Sequence, residues 1–148
     1  MAKRFTDSTK YSNLFVRSLK PDYKLLWDFL YHECDHAGIW TVDFELAKFL
    51  LGQNLNISIE EALKLFNKDE VRIIEIDKDR KWFLPGFISF QYTELKPGNR
   101  VHKSVIKRLK MYDLWDDKQG VLMGHPYPLD GAKEKAMDKE KIKNKKNQ

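Results

Sequence analysis

Apolar residues recur at helical spacing along much of this chain. Between Pro21 and Gly38 they return every three or four positions, for example at Leu26, Leu30 and Cys34. This period predicts one amphipathic helix with a buried stripe. Pro21 suits the first turn of that helix, and Gly38 is the expected left-handed residue at its C-terminus.

A short strand and two further helices are expected next. Residues 39–42 have the apolar, β-branched character of a strand, and Asp43 is placed to cap a helix that ends at Gly52. Ser58 and Glu61 have the S-x-x-E spacing of a capping box, which predicts that another helix begins there.

The apolar period changes after this third helix. Residues 71–77 and 81–84 are two β-rich runs separated by a charged turn, and they predict a hairpin. Residues 85–92 are expected to form a short helix, and residues 99–115 a longer one. The residues expected on the apolar side of the longer helix are Val101, Val105, Leu109 and Tyr112.

This order of elements defines the expected fold class. A helix, a strand, two helices, a hairpin and a final helix give a mainly α protein with a small β-hairpin (α+β), the layout of a winged helix-turn-helix. In DNA-binding proteins with a helix-turn-helix, the recognition helix enters the major groove. We therefore predict a winged-helix domain over residues 1–116. Residues 117–148 are expected to be a turn-rich linker and a basic, disordered tail.

The net charge of +5 is unevenly distributed over the 148 residues. Residues 131–148 hold seven lysines and three acidic residues, which leaves 20 basic and 19 acidic residues in the first 130. The basic character therefore belongs mostly to the tail, and it does not by itself indicate a nucleic-acid partner for the folded part.

Composition and motifs also narrow the class of protein. Cys34 is the only cysteine, the N-terminus has no apolar leader, and no apolar run is long enough to span a membrane. We expect a cytoplasmic protein without a membrane partner. The chain has no Walker loop, no dinucleotide-binding fingerprint and no nucleophile elbow. It is therefore expected to be non-enzymatic and to need no cofactor.

One short sequence motif suggests a different class of protein. Residues 32–36 read H-E-C-D-H, which matches the H-E-x-x-H of zinc proteases. However, the predicted helix ends immediately after His36, no third ligand is evident, and His32 follows Asp28 on the polar side of the helix. A solvated polar face is the favoured interpretation, and a zinc-dependent hydrolase is a remote alternative.

The segments KRFTDSTKYSNLFVRSLKPDYKLLWDFL, CDHAGIWTVDFELAKFLLG, KWFLPGFISFQY and NRVHKSVIKRL carry a family resemblance. Over residues 3–112 the chain resembles the N-terminal domains of phage replisome organizers and primosomal DnaD-type proteins. The resemblance implies a winged-helix fold and a role in replication initiation. The implied partners are duplex DNA, such as an origin, and another replication protein.

Basic residues in three places are candidates for contacting DNA. The third helix offers two lysines and Asn67, whose amide could pair with an adenine edge. The hairpin forms a second group. The helix after residue 99 is the most basic element, and its cations could follow the phosphate backbone. The candidate residues are Lys64, Asn67, Lys68, Arg72, Lys78, Arg80, Lys81, Arg100, Lys103, Lys107 and Arg108.

A second hypothesis is a protein–protein interaction module without its own affinity for DNA. The first 130 residues are nearly neutral, and the third helix begins with Glu60 and Glu61, which would repel phosphates. Helix-turn-helix folds can dock on proteins as well as on DNA, an argument from fold analogy alone.

Overall fold

Six α-helices and two small antiparallel sheets form the described part of the chain, residues 3–76 and 80–122 of a computed structural model. The helices are α1 (Leu14–Ser18), α2 (Pro21–Glu33), α3 (Phe44–Leu51), α4 (Ile59–Phe66), α5 (Pro85–Tyr92) and α6 (Arg100–Lys110). The strands are β1 (Ile39–Thr41), β2 (Ile74–Ile76), β3 (Lys81–Phe83), β4 (Trp115–Asp116) and β5 (Gly120–Val121). The predicted class is confirmed as mixed α+β.

The larger sheet has the strand order β1-β3-β2, and both pairings are antiparallel. Strand β1 therefore pairs with β3 of the hairpin β2–β3, and β3 is the central strand of the sheet. Trp40 of β1 lies opposite Trp82 of β3, with ring centroids 5.5 Å apart, and both indoles are buried. Cross-strand aromatic pairs of this kind stabilise a short sheet that has few ladder hydrogen bonds.

The hydrophobic core is built around α2. Leu26 and Leu30 on its inner face are fully buried, as the apolar stripe predicts. Phe66 of α4 packs against Trp27 of α2, with ring centroids 4.9 Å apart. Leu109 of α6 is also fully buried in this core, so the last long helix belongs to the same unit.

Helix α2 ends earlier than its apolar period predicts. It stops at Glu33, and Gly38 lies in the following turn with a left-handed φ of +78° rather than at the helix end. The cause is Asp35, whose Oδ1 accepts from the N–H groups of Ala37 and Ile39 at 2.8 and 3.1 Å. The predicted C-cap role of Gly38 is therefore wrong, because an aspartate-centred turn competes with the helix.

The positions at which the helices begin agree with the sequence-based prediction better than the end of α2 does. Asp43 and Ser58 cap α3 and α4 by accepting from the N–H groups of Leu46 and Glu61. The reciprocal half of the predicted capping box is absent among the described contacts, because the Glu61 carboxylate pairs with Lys20 instead. Asn13 caps α1 by accepting from the N–H groups of Phe15 and Val16, and it separates α1 from a 3₁₀ turn at Lys10–Ser12.

The C-terminal part of the described chain also differs from expectation. Helix α6 ends at Lys110, and a small hairpin β4–β5, absent from the prediction, follows. Val101, expected on the apolar side of α6, is exposed, and Ile106 is buried in its place. Among the described residues, no helix is long and apolar enough to cross a membrane.

Candidate nucleic-acid interface

Helix α6 carries the densest basic sequence, and local hydrogen bonds fix where it begins. Asn99 caps the helix by accepting from the His102 N–H at 3.1 Å. The His102 Nδ1 in turn accepts from the Lys96 N–H at 2.9 Å, and its ring meets that of Tyr92 edge-on. The loop before α6 is therefore tied to the first turn of the helix, which orients its side chains.

The turn after α2 holds one flank of α6. The Arg108 Nε donates to Asp35 Oδ2 at 3.0 Å, and the His36 Nε2 lies 3.1 Å from the Ser104 hydroxyl. Arg108 also lies over the Tyr112 ring, 5.1 Å from its centroid. This arginine, predicted to bind DNA, is thus engaged in holding α6 to α2.

The outer side of α6 presents free positive charge. Arg100, Lys103 and Lys107 are exposed, and their i, i+3, i+7 spacing places them on one face. Within residues 3–76 and 80–122, none of the three side chains has a hydrogen bond or ion pair. Lys110 continues the face, but its Nζ pairs with Asp117 at 3.2 Å. The arrangement is an anchored helix with three uncompensated cations pointing away from the core.

Helix α4 is a poorer surface for DNA than its sequence suggests. The Asn67 Oδ1 accepts from the N–H groups of Arg72 and Ile73, and its Nδ2 donates to the Ile73 carbonyl at 3.1 Å. The amide oxygen accepts two hydrogen bonds and the amide nitrogen donates one in closing the loop to β2, so a bidentate pair with adenine would break these contacts. Lys64 and Lys68 are exposed, and they are the predicted cations that remain available there.

Arg72 is also held inside the fold. Its guanidinium lies 3.7 Å from the centroid of the Phe15 ring and donates to the Phe66 carbonyl at 3.1 Å. Glu70 lies 3.4 Å away on its other side. A guanidinium stacked and paired in this way packs α1 against the end of α4, and it is not presented to a phosphate.

The hairpin offers a smaller basic surface. Arg80 is exposed and has a left-handed φ of +55°, which sets the turn into β3. The Lys81 Nζ donates to the Thr41 hydroxyl at 2.8 Å across the sheet. Lys78 lies outside the described residues.

The H-E-x-x-H match does not form a zinc site. His32 lies in the last turn of α2 with its Nδ1 2.8 Å from the Asp28 carbonyl, whereas His36 lies beyond the helix and faces α6. The two imidazoles therefore do not share one helical face. No group of three or more metal-ligating side chains is found in the part of the chain that the structure describes.

Cys34, which is buried, and Tyr31, which is half-buried, keep their protons over a wide range of pH. Burial raises the pKa of Cys34 to about 12, an effect that the nearby Arg4 guanidinium reduces only in part. Burial likewise raises the pKa of Tyr31 to about 12. Both groups stay protonated near neutral pH, so Cys34 has little thiolate for nucleophilic chemistry.

A groove of about 450 Å³ lies between the N-terminal residues and α2. Its floor is aromatic and includes Trp27, but its charges are largely compensated. Lys10 pairs with Asp28, and Arg72 pairs with Glu70. The groove therefore lacks the excess of positive charge that a phosphate site requires.

Comparisons of the chain with known protein families, with curated proteins and with solved structures find no match.

Proposed function

We propose that this chain is a non-enzymatic DNA-binding protein with a winged helix-turn-helix architecture. The architecture is supported by the order α2-β1-α3-α4-β2-β3 and by the insertion of β3 between β1 and β2. The function is supported chiefly by the exposed cations of α6. Arg100, Lys103 and Lys107 lie on one face without a carboxylate partner among the described residues, and the neighbouring Arg108 is held by Asp35 in the turn after α2.

The chemistry of the exposed side chains favours backbone binding over base reading. Lysine and arginine on one helical face can neutralise consecutive phosphates and release counterions. The amide expected to read bases, Asn67, is engaged within the fold. We infer that most of the affinity is independent of sequence, with Lys64, Arg80 and Lys81 as peripheral contacts. The role in replication initiation implied by the family resemblance stays a prediction.

Titration of a short labelled duplex at several salt concentrations tests this function. Fluorescence anisotropy should show binding whose log affinity falls linearly with log salt, with a slope of about 0.9 per phosphate contact. The same titration with a chain shortened to residue 130 separates the tail lysines from the rest. Binding that disappears entirely with residues 131–148 would contradict a DNA-binding role for the domain.

A protein–protein interaction module is the second candidate. Helix α4 begins with Glu60, which is exposed, and with Glu61, which pairs with Lys20. An acidic first turn on the helix that should approach DNA favours a protein partner. Co-purification with a replication protein, combined with no affinity for any duplex at low salt, would support this candidate.

A further inference from the structure

Helix α3 exposes an apolar face that the described chain leaves uncovered. Leu46, Phe49 and Leu50 are exposed by 42%, 73% and 52%, although the helix buries Ala47 on its other side. The three side chains have i, i+3, i+4 spacing and therefore form one continuous stripe. Single exposed apolar residues are ordinary, but a contiguous group marks an interaction surface.

Two charged residues border this stripe along one edge of the helix. Glu45 is exposed and Lys48 is half-buried, and helical geometry places them side by side, next to Phe49. Within the described residues, neither side chain has a hydrogen bond or ion pair. An apolar stripe with an acid and a base on the same edge is complementary to its own copy when two helices pack antiparallel.

We propose that α3 is the interface between two copies of this chain, related by a two-fold axis. In an isologous contact the same edges of the two helices face each other. Glu45 of one copy then meets Lys48 of the other copy, and the reverse contact forms on the far side of the axis. Leu46 lies nearest the axis, and Phe49 and Leu50 extend the apolar contact towards the C-terminal end of each helix. The antiparallel arrangement also aligns the two helix dipoles favourably.

The size of the surface sets the strength of this dimer. Three side chains on an eight-residue helix cannot supply the roughly 800 Å² per partner of a standard interface. The dimer therefore forms reversibly and depends on concentration. It does not require DNA, so this inference can fail while the proposed DNA binding holds, and the reverse is also true.

Sedimentation velocity of the full chain without DNA, from micromolar to near-millimolar concentration, measures the association directly. We expect a monomer–dimer equilibrium that Phe49→Glu weakens by about 30-fold or more, since Phe49 is the largest and most exposed side chain of the stripe and the change puts a charge into the contact. Met111→Glu is the matched control. Met111 is also apolar and 65% exposed but follows α6, so its change should leave association unaltered.

A charge exchange tests the pairing itself. Glu45→Lys and Lys48→Glu should each weaken the dimer by placing like charges opposite one another, and the double variant should restore it. Circular dichroism and thermal unfolding establish that each variant is folded. A chain that stays monomeric throughout, as it would if residues 123–148 covered α3, overturns the proposal. A dimer whose association is unchanged by Phe49→Glu also overturns the proposal. So does a double variant that fails to restore association.

Discussion

The Arg108 guanidinium donates to the Asp35 carboxylate at 3.0 Å, across 73 residues of sequence. Asp35 uses its other oxygen to accept from the N–H groups of Ala37 and Ile39. One carboxylate therefore ends α2, shapes the turn into β1 and anchors α6. The orientation of the basic face of α6 depends on this contact.

Substitutions at Asp35 should separate these roles. Asp35→Ala leaves two backbone donors and a guanidinium without their acceptor, and it should lower the free energy of unfolding by about 2–4 kcal/mol. Asp35→Asn keeps an acceptor oxygen for the backbone but loses the charge, so a loss of about 1–2 kcal/mol is expected. Urea unfolding of both variants measures the difference. Equal stability of the two variants would contradict the assigned backbone role.

Gly38 should not tolerate a side chain. Its φ of +78° is left-handed, and an added Cβ would lie 3.0 Å from the Leu84 carbonyl oxygen and 3.1 Å from the Phe87 ring. Gly38→Ala should therefore destabilise the fold by about 2 kcal/mol or more. Gly98→Ala is the control, because its Cβ would meet no atom within 4 Å, and its effect should stay within about 0.5 kcal/mol. Comparable losses at both sites in urea unfolding would argue against the turn described here.

Alkaline pH should destabilise the protein through the buried Cys34 and the half-buried Tyr31. Burial raises the pKa of Cys34 from 9.0 to about 12 and that of Tyr31 from 10.0 to about 12. Between these values the unfolded chain releases protons that the folded chain retains, so stability is full below pH 9 and falls as the pH rises towards 12. Thermal unfolding across this range should show a falling Tm.

Removing one of the two groups provides the control for the alkaline effect. Cys34→Ala deletes the thiol, so the fall in Tm should be shallower in this variant even though its baseline stability is lower. Dithionitrobenzoate should also react with Cys34 much more slowly in the folded protein than in denaturant. A Tm independent of pH, or a thiol that reacts rapidly in the native state, would contradict its burial.

Zinc should not bind specifically to the H-E-C-D-H segment. His32 and His36 face different elements, so calorimetric titration should show no tight one-to-one binding. His32→Ala is expected to leave the titration unchanged. Stoichiometric zinc binding that this substitution abolishes would mean that the end of α2 rearranges to form a metal site.

The sequence predicted the elements of the fold better than their ends. The apolar period of α2 and the caps at Asp43 and Ser58 are local signals, and the structure bears them out. The early end of α2 was not predictable from periodicity, because Asp35 stops the helix through its own side chain and a partner 73 residues away.

The candidate DNA-binding residues likewise divide into those that local sequence patterns predict and those that depend on tertiary contacts. Exposure of Arg100, Lys103 and Lys107 follows from helical spacing alone, so the sequence predicts it. The engagement of Asn67, Arg72 and Arg108 depends on tertiary contacts that no local pattern contains. The turn signal D-x-x-G beginning at Asp35 was the available local sign that this carboxylate had a structural role.

Neutralising the outer face of α6 tests the central claim most directly. Lys103→Gln/Lys107→Gln in the full chain is compared with Lys3→Gln/Arg17→Gln, which makes the same change in charge at exposed positions elsewhere. Duplex titrations by anisotropy at several salt concentrations should show that the α6 variant binds roughly tenfold or more weakly. Its salt slope should fall by about 1.8, or 0.9 for each lost phosphate contact, while the control stays close to the unmodified chain. Equal affinities and equal slopes for the two variants would contradict a DNA-binding role for this face.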